Sequence, residues 1–140
     1  MSIFVANLKD KMKLDSLDKV YSEFVRKRAL QRAGGCERCL TQKRDLQKDN
    51  GQVYPAWKQL QTAHFIGRTR HAVRYDVDNA VGLCGACHTY FTGHPMEFVQ
   101  WYIEKFGQET VDLLEVRSRQ KGVDKEAIRL FLKEMLKGIK

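Results

Sequence analysis

The sequence has no apolar run near the roughly 20 residues that a membrane-spanning helix needs. Its first 13 residues, MSIFVANLKDKMK, lack an apolar stretch long enough for a secretory signal peptide. There are two prolines, no internal repeats, no low-complexity tracts and no proline-rich linkers. These absences argue against membrane, secreted and repeat proteins, so we expect a cytoplasmic protein with no membrane partner.

A surplus of positive charge is the first feature that is present. The chain has 140 residues, of which 25 are Lys or Arg and 17 are Asp or Glu, so its net charge is +8. This length and a hydrophobic content of 43% fit one domain with a modest core. The charge favours a polyanionic partner such as nucleic acid. It also suits a small protein that needs charge only for solubility, so both interpretations stay open.

All four cysteines belong to two CxxC pairs, and none is left over. The first pair, CERC, contains Cys36 and Cys39, and the second, CGAC, contains Cys84 and Cys87. Paired CxxC motifs in a reducing compartment are typical of a structural zinc site with four thiolates. A redox CxxC is the alternative, but redox motifs usually occur singly at the start of a helix. The pattern therefore predicts structural zinc.

Apolar spacing predicts a helix over residues 14–33, which Asp15 or Ser16 can cap and which Gly34-Gly35 ends. Its opposite face is basic, and that face is either solvated or in contact with phosphate. The basic residues are Lys19, Arg26, Lys27 and Arg28.

After the first CxxC pair, VYPAWKQLQTAHFI predicts a strand that leads into His64, and NAVGLCGACH predicts the start of a helix. Pro95 favours a helix over MEFVQWYIEKF. Two more amphipathic helices follow, and an aromatic row is expected in the core: Phe98, Trp101, Tyr102 and Phe106.

We therefore predict an α+β fold in which many helices surround a small β-hairpin and a bound metal. One domain spans residues 1–140. It comprises an N-terminal helix at 14–33, a zinc-binding core at 34–94 and C-terminal helices at 95–140.

Three polar residues around the second CxxC pair are candidates for catalysis. A strand ending at His64, a returning segment with Asn79 and a helix beginning near His88 would form a ββα unit whose side chains converge on one cleft. Phosphodiester hydrolysis needs a neutral imidazole to deprotonate water and a cation to polarise the phosphate. Taken singly, His64 fits a core position and Asn79 a turn. His88 also fits a zinc ligand or a residue at a helix start.

The pattern H…N…LCxxCH resembles the HNH (His-Me finger) endonucleases, whose fold carries a ββα-metal motif. The stretches LDKVYSEFVRKRAL, AHFIGR, RYDVDN and YIEKFGQETVDLL are most similar to the phage NinG/Rap recombination nucleases, over roughly residues 14–115. The resemblance implies that His64 is the general base, and that Asn79 fixes the local geometry or contacts the cation. It further implies that His88 binds catalytic Mg²⁺ or Mn²⁺, and that the four cysteines hold a separate zinc.

The chain departs from the family pattern at two positions. Many HNH nucleases have an Asp or His ligand directly before the base, where this chain has Ala63, so the remaining ligands are open among Asp76, Asp78 and His94. NinG-type sequences have Asn directly after the second CxxC. This chain has His88 there, which makes it more similar to general HNH proteins at this position. The ligand set of the cation is therefore open.

Three arginines between His64 and Asn79 are candidates for contacts with the DNA backbone. They are Arg68, Arg70 and Arg74, of which Arg74 is equally suited to pairing with Asp76 or Asp78.

The resemblance implies an endonuclease, encoded by a phage or prophage, that acts in the bacterial cytoplasm on branched recombination intermediates such as Holliday junctions or flaps. A homodimer would suit paired cuts. The alternatives are a sequence-specific or non-specific HNH nicking endonuclease, and a zinc-stabilised DNA-binding module without catalysis.

Overall fold

A computed structural model describes residues 14–139, so the N-terminal stretch that was considered for a signal peptide lies outside the described part. The helices are α1 (Ser16–Ala33), α2 (Gly85–Gly93), α3 (Pro95–Phe106), α4 (Gln108–Ser118) and α5 (Lys125–Lys137). The strands are β1 (Leu46–Gln47), β2 (Val53–Tyr54), β3 (Gln61–His64) and β4 (Ala80–Leu83). Across these described residues, no helix combines the length and the apolarity that crossing a bilayer requires. The predicted α+β class is confirmed.

Helix α1 has clear sequence-encoded ends. The Asp15 carboxylate accepts a hydrogen bond from the Asp18 backbone N–H, and the Asp18 carboxylate accepts one from the Asp15 N–H, each at 2.8 Å. This reciprocal pair is a capping box. The helix ends at Gly34, which has a φ of +72° in the left-handed region that favours glycine. The predicted helix is confirmed, and Asp15 is its cap.

The basic face of α1 is only partly solvated. Arg28 is buried, and its guanidinium donates to the carbonyl oxygens of Val77 at 2.8 Å and Ala80 at 3.0 Å. The prediction for this face is therefore wrong at Arg28. Its side chain satisfies backbone acceptors where the chain enters β4, which is a long-range role that helical periodicity does not reveal.

Strands β3 and β4 form an antiparallel hairpin in which His64 is opposite Ala80. Helix α2 follows β4 directly, with Cys84 as its N-cap residue, so the elements run in the order β3, β4, α2. The hairpin packs closely on α1, because a Cβ atom added at Gly82 would lie 2.5 Å from the Cβ of Ala29. Glycine at this position lets the strand approach the helix.

The strand predicted to lead into His64 is shorter than expected. A short 3₁₀ helix, Ala56–Gln59, separates β2 from β3. It follows Pro55, which has no backbone N–H to donate to a strand ladder. Strands β1 and β2 instead pair with each other in a separate two-stranded sheet.

The three C-terminal helices occupy the predicted segments. The aromatic row of α3 faces the core, where Phe98 and Tyr102 are buried, and Trp101 and Phe106 are partly buried against them. Helix α5 buries Leu132 in a second apolar cluster that also contains Leu17, Tyr21, Phe24 and Val25 of α1. The first and last helices of the described chain therefore share one core.

A buried ion pair joins α1 to the segment before β4. The Arg74 guanidinium donates to both carboxylate oxygens of Asp18, at 2.9 Å from Nε and 2.5 Å from Nη2, and both side chains are only 6% exposed. Asp76 and Asp78, the partners considered from the sequence, pair with Arg117 of α4, at 2.7 and 2.9 Å.

Removing one partner of this buried pair is expected to be costly. Asp18→Asn removes the carboxylate charge from this buried pair, so we expect the free energy of unfolding to fall by about 3–5 kcal/mol in urea titrations. Glu23→Gln is the matched control. It removes the carboxylate that pairs with Lys27 at the surface of the same helix, and should cost less than about 1 kcal/mol. Equal losses in the two variants would contradict a structural role for the buried pair.

Candidate functional site

The four cysteine side chains converge from two distant parts of the chain. The Sγ atoms of Cys36, Cys39, Cys84 and Cys87 all lie within 4.8 Å of one another. Those of Cys39 and Cys84 are 3.8 Å apart, which matches the ~3.8 Å between sulfurs in a tetrahedral site with Zn–S bonds of about 2.3 Å. The cluster could therefore hold a structural metal such as zinc. Within residues 14–139 it is the one such group of three or more His, Cys, Asp or Glu side chains.

The first CxxC pair lies in a tight turn. The Leu40 N–H donates to the Cys36 carbonyl at 3.0 Å, and the Cys36 N–H donates to the Thr41 carbonyl at 3.1 Å. Leu40 has a φ of +62°, a left-handed conformation that is uncommon outside glycine. The turn brings Cys36 and Cys39 to the same side of the backbone.

A buried glutamate inside CERC attaches this turn to the hairpin. Glu37 is 1% exposed, its N–H donates to the Gly82 carbonyl at 3.0 Å, and its carboxylate accepts from the Gly82 N–H at 2.8 Å. Arg32 supplies a positive charge 3.3 Å from the other carboxylate oxygen. This contact, which the sequence reasoning missed, aligns the first CxxC pair with the second. The signal available in the sequence was an acidic residue, Glu37, between the two cysteines of a CxxC pair.

The cysteine thiols differ in acidity. Burial raises the pKa of Cys87 to about 12 and also raises the pKa of Cys36, whereas a hydrogen bond with the Thr41 hydroxyl lowers the pKa of Cys39 to about 6. The Arg38 guanidinium lies 3.6 Å from the Cys87 sulfur, where it favours a thiolate. Since metals bind thiolates, metal binding must release protons from the buried thiols.

A cleft of about 540 Å³ lies beside the hairpin. Its walls come from α1, the 3₁₀ helix, β3 and α2, and it is lined by both His64 and His88. Arg26, Trp57 and Arg68 line the same cleft. The two histidines that were predicted from the sequence as site residues therefore line one cavity.

His64 is 7% exposed and is held in a defined orientation. Its Nε2 lies 3.2 Å from the Arg74 carbonyl oxygen, and its ring stacks on Tyr21 with centroids 5.5 Å apart. Because a carbonyl oxygen only accepts hydrogen bonds, Nε2 carries the proton and Nδ1 keeps its lone pair. Burial lowers the pKa of His64 to about 4, so its imidazole is neutral at pH 7.

His88 is half-buried, and its orientation is set by β3. Its Nδ1 lies 2.5 Å from the Gln61 side-chain oxygen. That oxygen accepts a hydrogen bond from the Nδ1–H group, so Nε2 is unprotonated and has a lone pair that could bind a cation. Burial lowers the pKa of His88 and so favours the neutral ring that a metal ligand requires.

Asn79, the residue directly before β4, is completely buried. Its side-chain oxygen accepts from the Ile66 N–H at 2.7 Å, and its amide nitrogen donates to the carbonyls of Ile66 and Val73, each at 2.9 Å. These bonds tie the loop after β3 to the start of β4. Asn79 was expected either to fix the local geometry or to contact the cation. These hydrogen bonds are compatible with the first role.

The remaining candidates are spread over the surface and the interior. Arg68 lines the cleft, Arg70 is half-buried before a 3₁₀ turn, and Arg74 is buried against Asp18. His94 lies between α2 and α3, where its ring stacks on Tyr90 at 4.0 Å. None of the residues considered as extra cation ligands, Asp76, Asp78 and His94, is among the described residues that line the cleft.

Comparison with protein-family models, curated proteins and solved structures finds no match.

Proposed function

We propose that this protein is a metal-dependent DNA endonuclease of the HNH type, which hydrolyses phosphodiester bonds. One observation carries the proposal: two oriented histidines, one at the end of β3 and one in α2, line the same cleft of a ββα unit. The four-cysteine cluster, as the structural zinc site, fixes the start of α2. The net charge of +8 favours a polyanionic substrate.

The residues in and around the cleft have different proposed roles in hydrolysis. Nδ1 of His64 takes a proton from water, whose oxygen forms the new bond to phosphorus as the bond to the 3′ oxygen breaks. The products are a 5′-phosphate and a 3′-hydroxyl. The Arg74 carbonyl keeps His64 in the required tautomer, while Asn79 holds the loop that carries that carbonyl.

His88 is the proposed side-chain ligand of the catalytic cation. Mg²⁺ commonly keeps several waters and binds to few protein groups, so the cation would take the rest of its coordination shell from water and DNA phosphate. When bound, Mg²⁺ or Mn²⁺ offsets negative charge on the departing oxygen. Asn79 is left to positioning, because its side chain is buried and already hydrogen-bonded.

Branched recombination intermediates are the proposed substrate class. Arg68 at the cleft can contact a DNA phosphate, and such contacts position DNA without reading its sequence. Cleavage of four-way junctions, flaps and linear duplexes of one sequence tests this choice. Faster cleavage of the branched forms is expected, whereas cutting that follows sequence would support a sequence-specific nicking endonuclease instead.

A zinc-stabilised DNA-binding module without catalysis is the second candidate, and the 7% exposure of His64 beneath Tyr21 favours it. Such a module binds DNA in a salt-sensitive manner and does not nick it. The test is nicking of supercoiled plasmid by the wild-type protein with Mg²⁺ or Mn²⁺. Metal-dependent nicking supports the endonuclease, and tight binding without nicking supports the module.

The pH dependence of cleavage should report the burial of His64. A general base works only when unprotonated, so the rate falls as pH drops through its pKa. Since the pKa of His64 is about 4, kcat/KM should stay constant from about pH 8 to about pH 5. A bound phosphate favours the imidazolium, so kcat should decline at a higher pH than kcat/KM. A kcat/KM that halves near the ordinary histidine pKa of about 6.5 would contradict this assignment.

A further inference from the structure

Trp57 brings an aromatic surface and a cluster of cations to the edge of the cleft. The ring is half-buried and lines the cavity that contains His64 and His88. The Arg26 guanidinium carbon lies 4.7 Å from the ring centroid, and the ammonium nitrogens of Lys27 and Lys58 lie 5.2 and 5.6 Å from it. Aromatic rings and guanidinium planes are the surfaces on which unpaired bases stack in proteins that bind single strands.

Among residues 14–139, the Arg26 guanidinium forms no ion pair with a carboxylate. Its Nε donates to the Ser22 carbonyl at 3.2 Å. Lys27, the next residue along α1, pairs with Glu23 at 3.0 Å. A half-buried guanidinium in a cleft that makes no direct ion pair with a described residue is suited to an anionic ligand such as phosphate.

The Trp57 ring is presented by a braced segment. Its 3₁₀ helix, Ala56–Gln59, is held at one end by the Ala56 N–H donating to Asp45 at 2.8 Å. At the other end, the Gln59 amide donates to the Arg44 carbonyl at 2.7 Å. A backbone segment held at both ends loses little freedom when a ligand stacks on the side chain that it carries.

We propose that Trp57 and Arg26 together bind one unpaired nucleotide of DNA, with the base stacked on the indole and its phosphate on the guanidinium. A base in a duplex is already stacked on its neighbours, so this site selects single-stranded segments such as those at flaps and open branch points. The inference rests on the proposed function only in taking the cleft as a DNA site. It adds the strandedness of the substrate and the residues that recognise it.

Intrinsic fluorescence gives a direct test, because the chain has two tryptophans, Trp57 and Trp101. In a Trp101→Phe protein, Trp57 is the sole indole emitter. We expect strong quenching on titration with a 12-residue single-stranded DNA, without added divalent cation so that nothing is cleaved, and little quenching with the duplex of the same sequence. Equal quenching by the two forms, or none by either, would overturn the inference.

Binding of a fluorescently labelled single strand, followed by anisotropy, tests the two side chains. Trp57→Ala and Arg26→Gln should each weaken binding about tenfold, while Trp57→Phe, which keeps a ring, should retain most of it. Lys137→Gln is the matched charge control, and its effect should stay below about twofold because that ammonium is paired with Glu134 on α5 and does not line the cleft. Unchanged binding by Trp57→Ala, or tighter binding of the RNA strand of the same sequence, would overturn the assignment.

Fluorescence quenching and anisotropy separate the nucleotide site from the endonuclease activity, because neither measurement requires DNA cleavage. If the protein shows strand-selective quenching but nicks no DNA with Mg²⁺ or Mn²⁺, the nucleotide site stands and the endonuclease fails. If it nicks DNA but shows no strand-selective quenching, the endonuclease stands and the nucleotide site fails.

Discussion

Cys36→Ser is expected to lose the bound metal and most of the stability of the fold. Cys36 is completely buried, its sulfur is one of four within 4.8 Å, and serine is a poor zinc ligand. Zinc binding contributes about 10–16 kcal/mol in small zinc domains, which is comparable to the whole stability of a typical domain, about 5–15 kcal/mol. We therefore expect a largely unfolded protein at 25 °C, as measured by circular dichroism and by zinc content per chain.

Thr41→Val is the control for this experiment. It removes the hydroxyl that lies 3.0 Å from the Cys39 sulfur but keeps all four thiolates, so it should retain one zinc per chain and remain folded. A Cys36→Ser protein that melts at the wild-type temperature would contradict a structural four-thiolate site.

His64→Ala is expected to lower the single-turnover rate of plasmid nicking by about 10²–10⁴-fold, the usual contribution of a general base. The loss should appear at every Mg²⁺ concentration, because His64 acts on water and is not the proposed cation ligand. His64→Gln is a useful second variant, since its longer side chain leaves less of a cavity beside Tyr21.

His71→Ala is the matched control, because His71 is an exposed histidine in the connection between β3 and β4. Its nicking rate should stay within about twofold of the wild-type rate. Equal rates for wild type and a folded His64→Ala protein would refute the role of His64 as general base.

Local chemistry allowed much of the fold to be predicted. The ends of α1 follow from a capping residue and a glycine, Asp15 and Gly34, which act within one turn of the helix. Helix α3 begins at Pro95, whose fixed φ suits the first turn of a helix, and ends before Gly107. The convergence of the two CxxC pairs was also predictable, because a metal site with four thiolates would require the two pairs to meet.

The contacts that position the cleft are between residues far apart in sequence, and periodicity does not reveal them. Asp18 and Arg74 are 56 residues apart, and Arg28 and Ala80 are 52 apart. From the sequence, Asp76 and Asp78 were the expected partners of Arg74, because these two carboxylates are close to it along the chain. Burial of these groups is set by how α1 packs on the hairpin, which depends on the small side chains at Ala29 and Gly82.

The most direct measurement is an anomalous scattering map of crystals grown with a short branched DNA and Mn²⁺, recorded at the zinc and manganese edges. We predict a zinc peak enclosed by the four cysteine sulfurs and a manganese peak in the cleft, shared between His88 and a DNA phosphate that His64 also faces. A DNA phosphate and manganese bound away from this cleft would contradict the account.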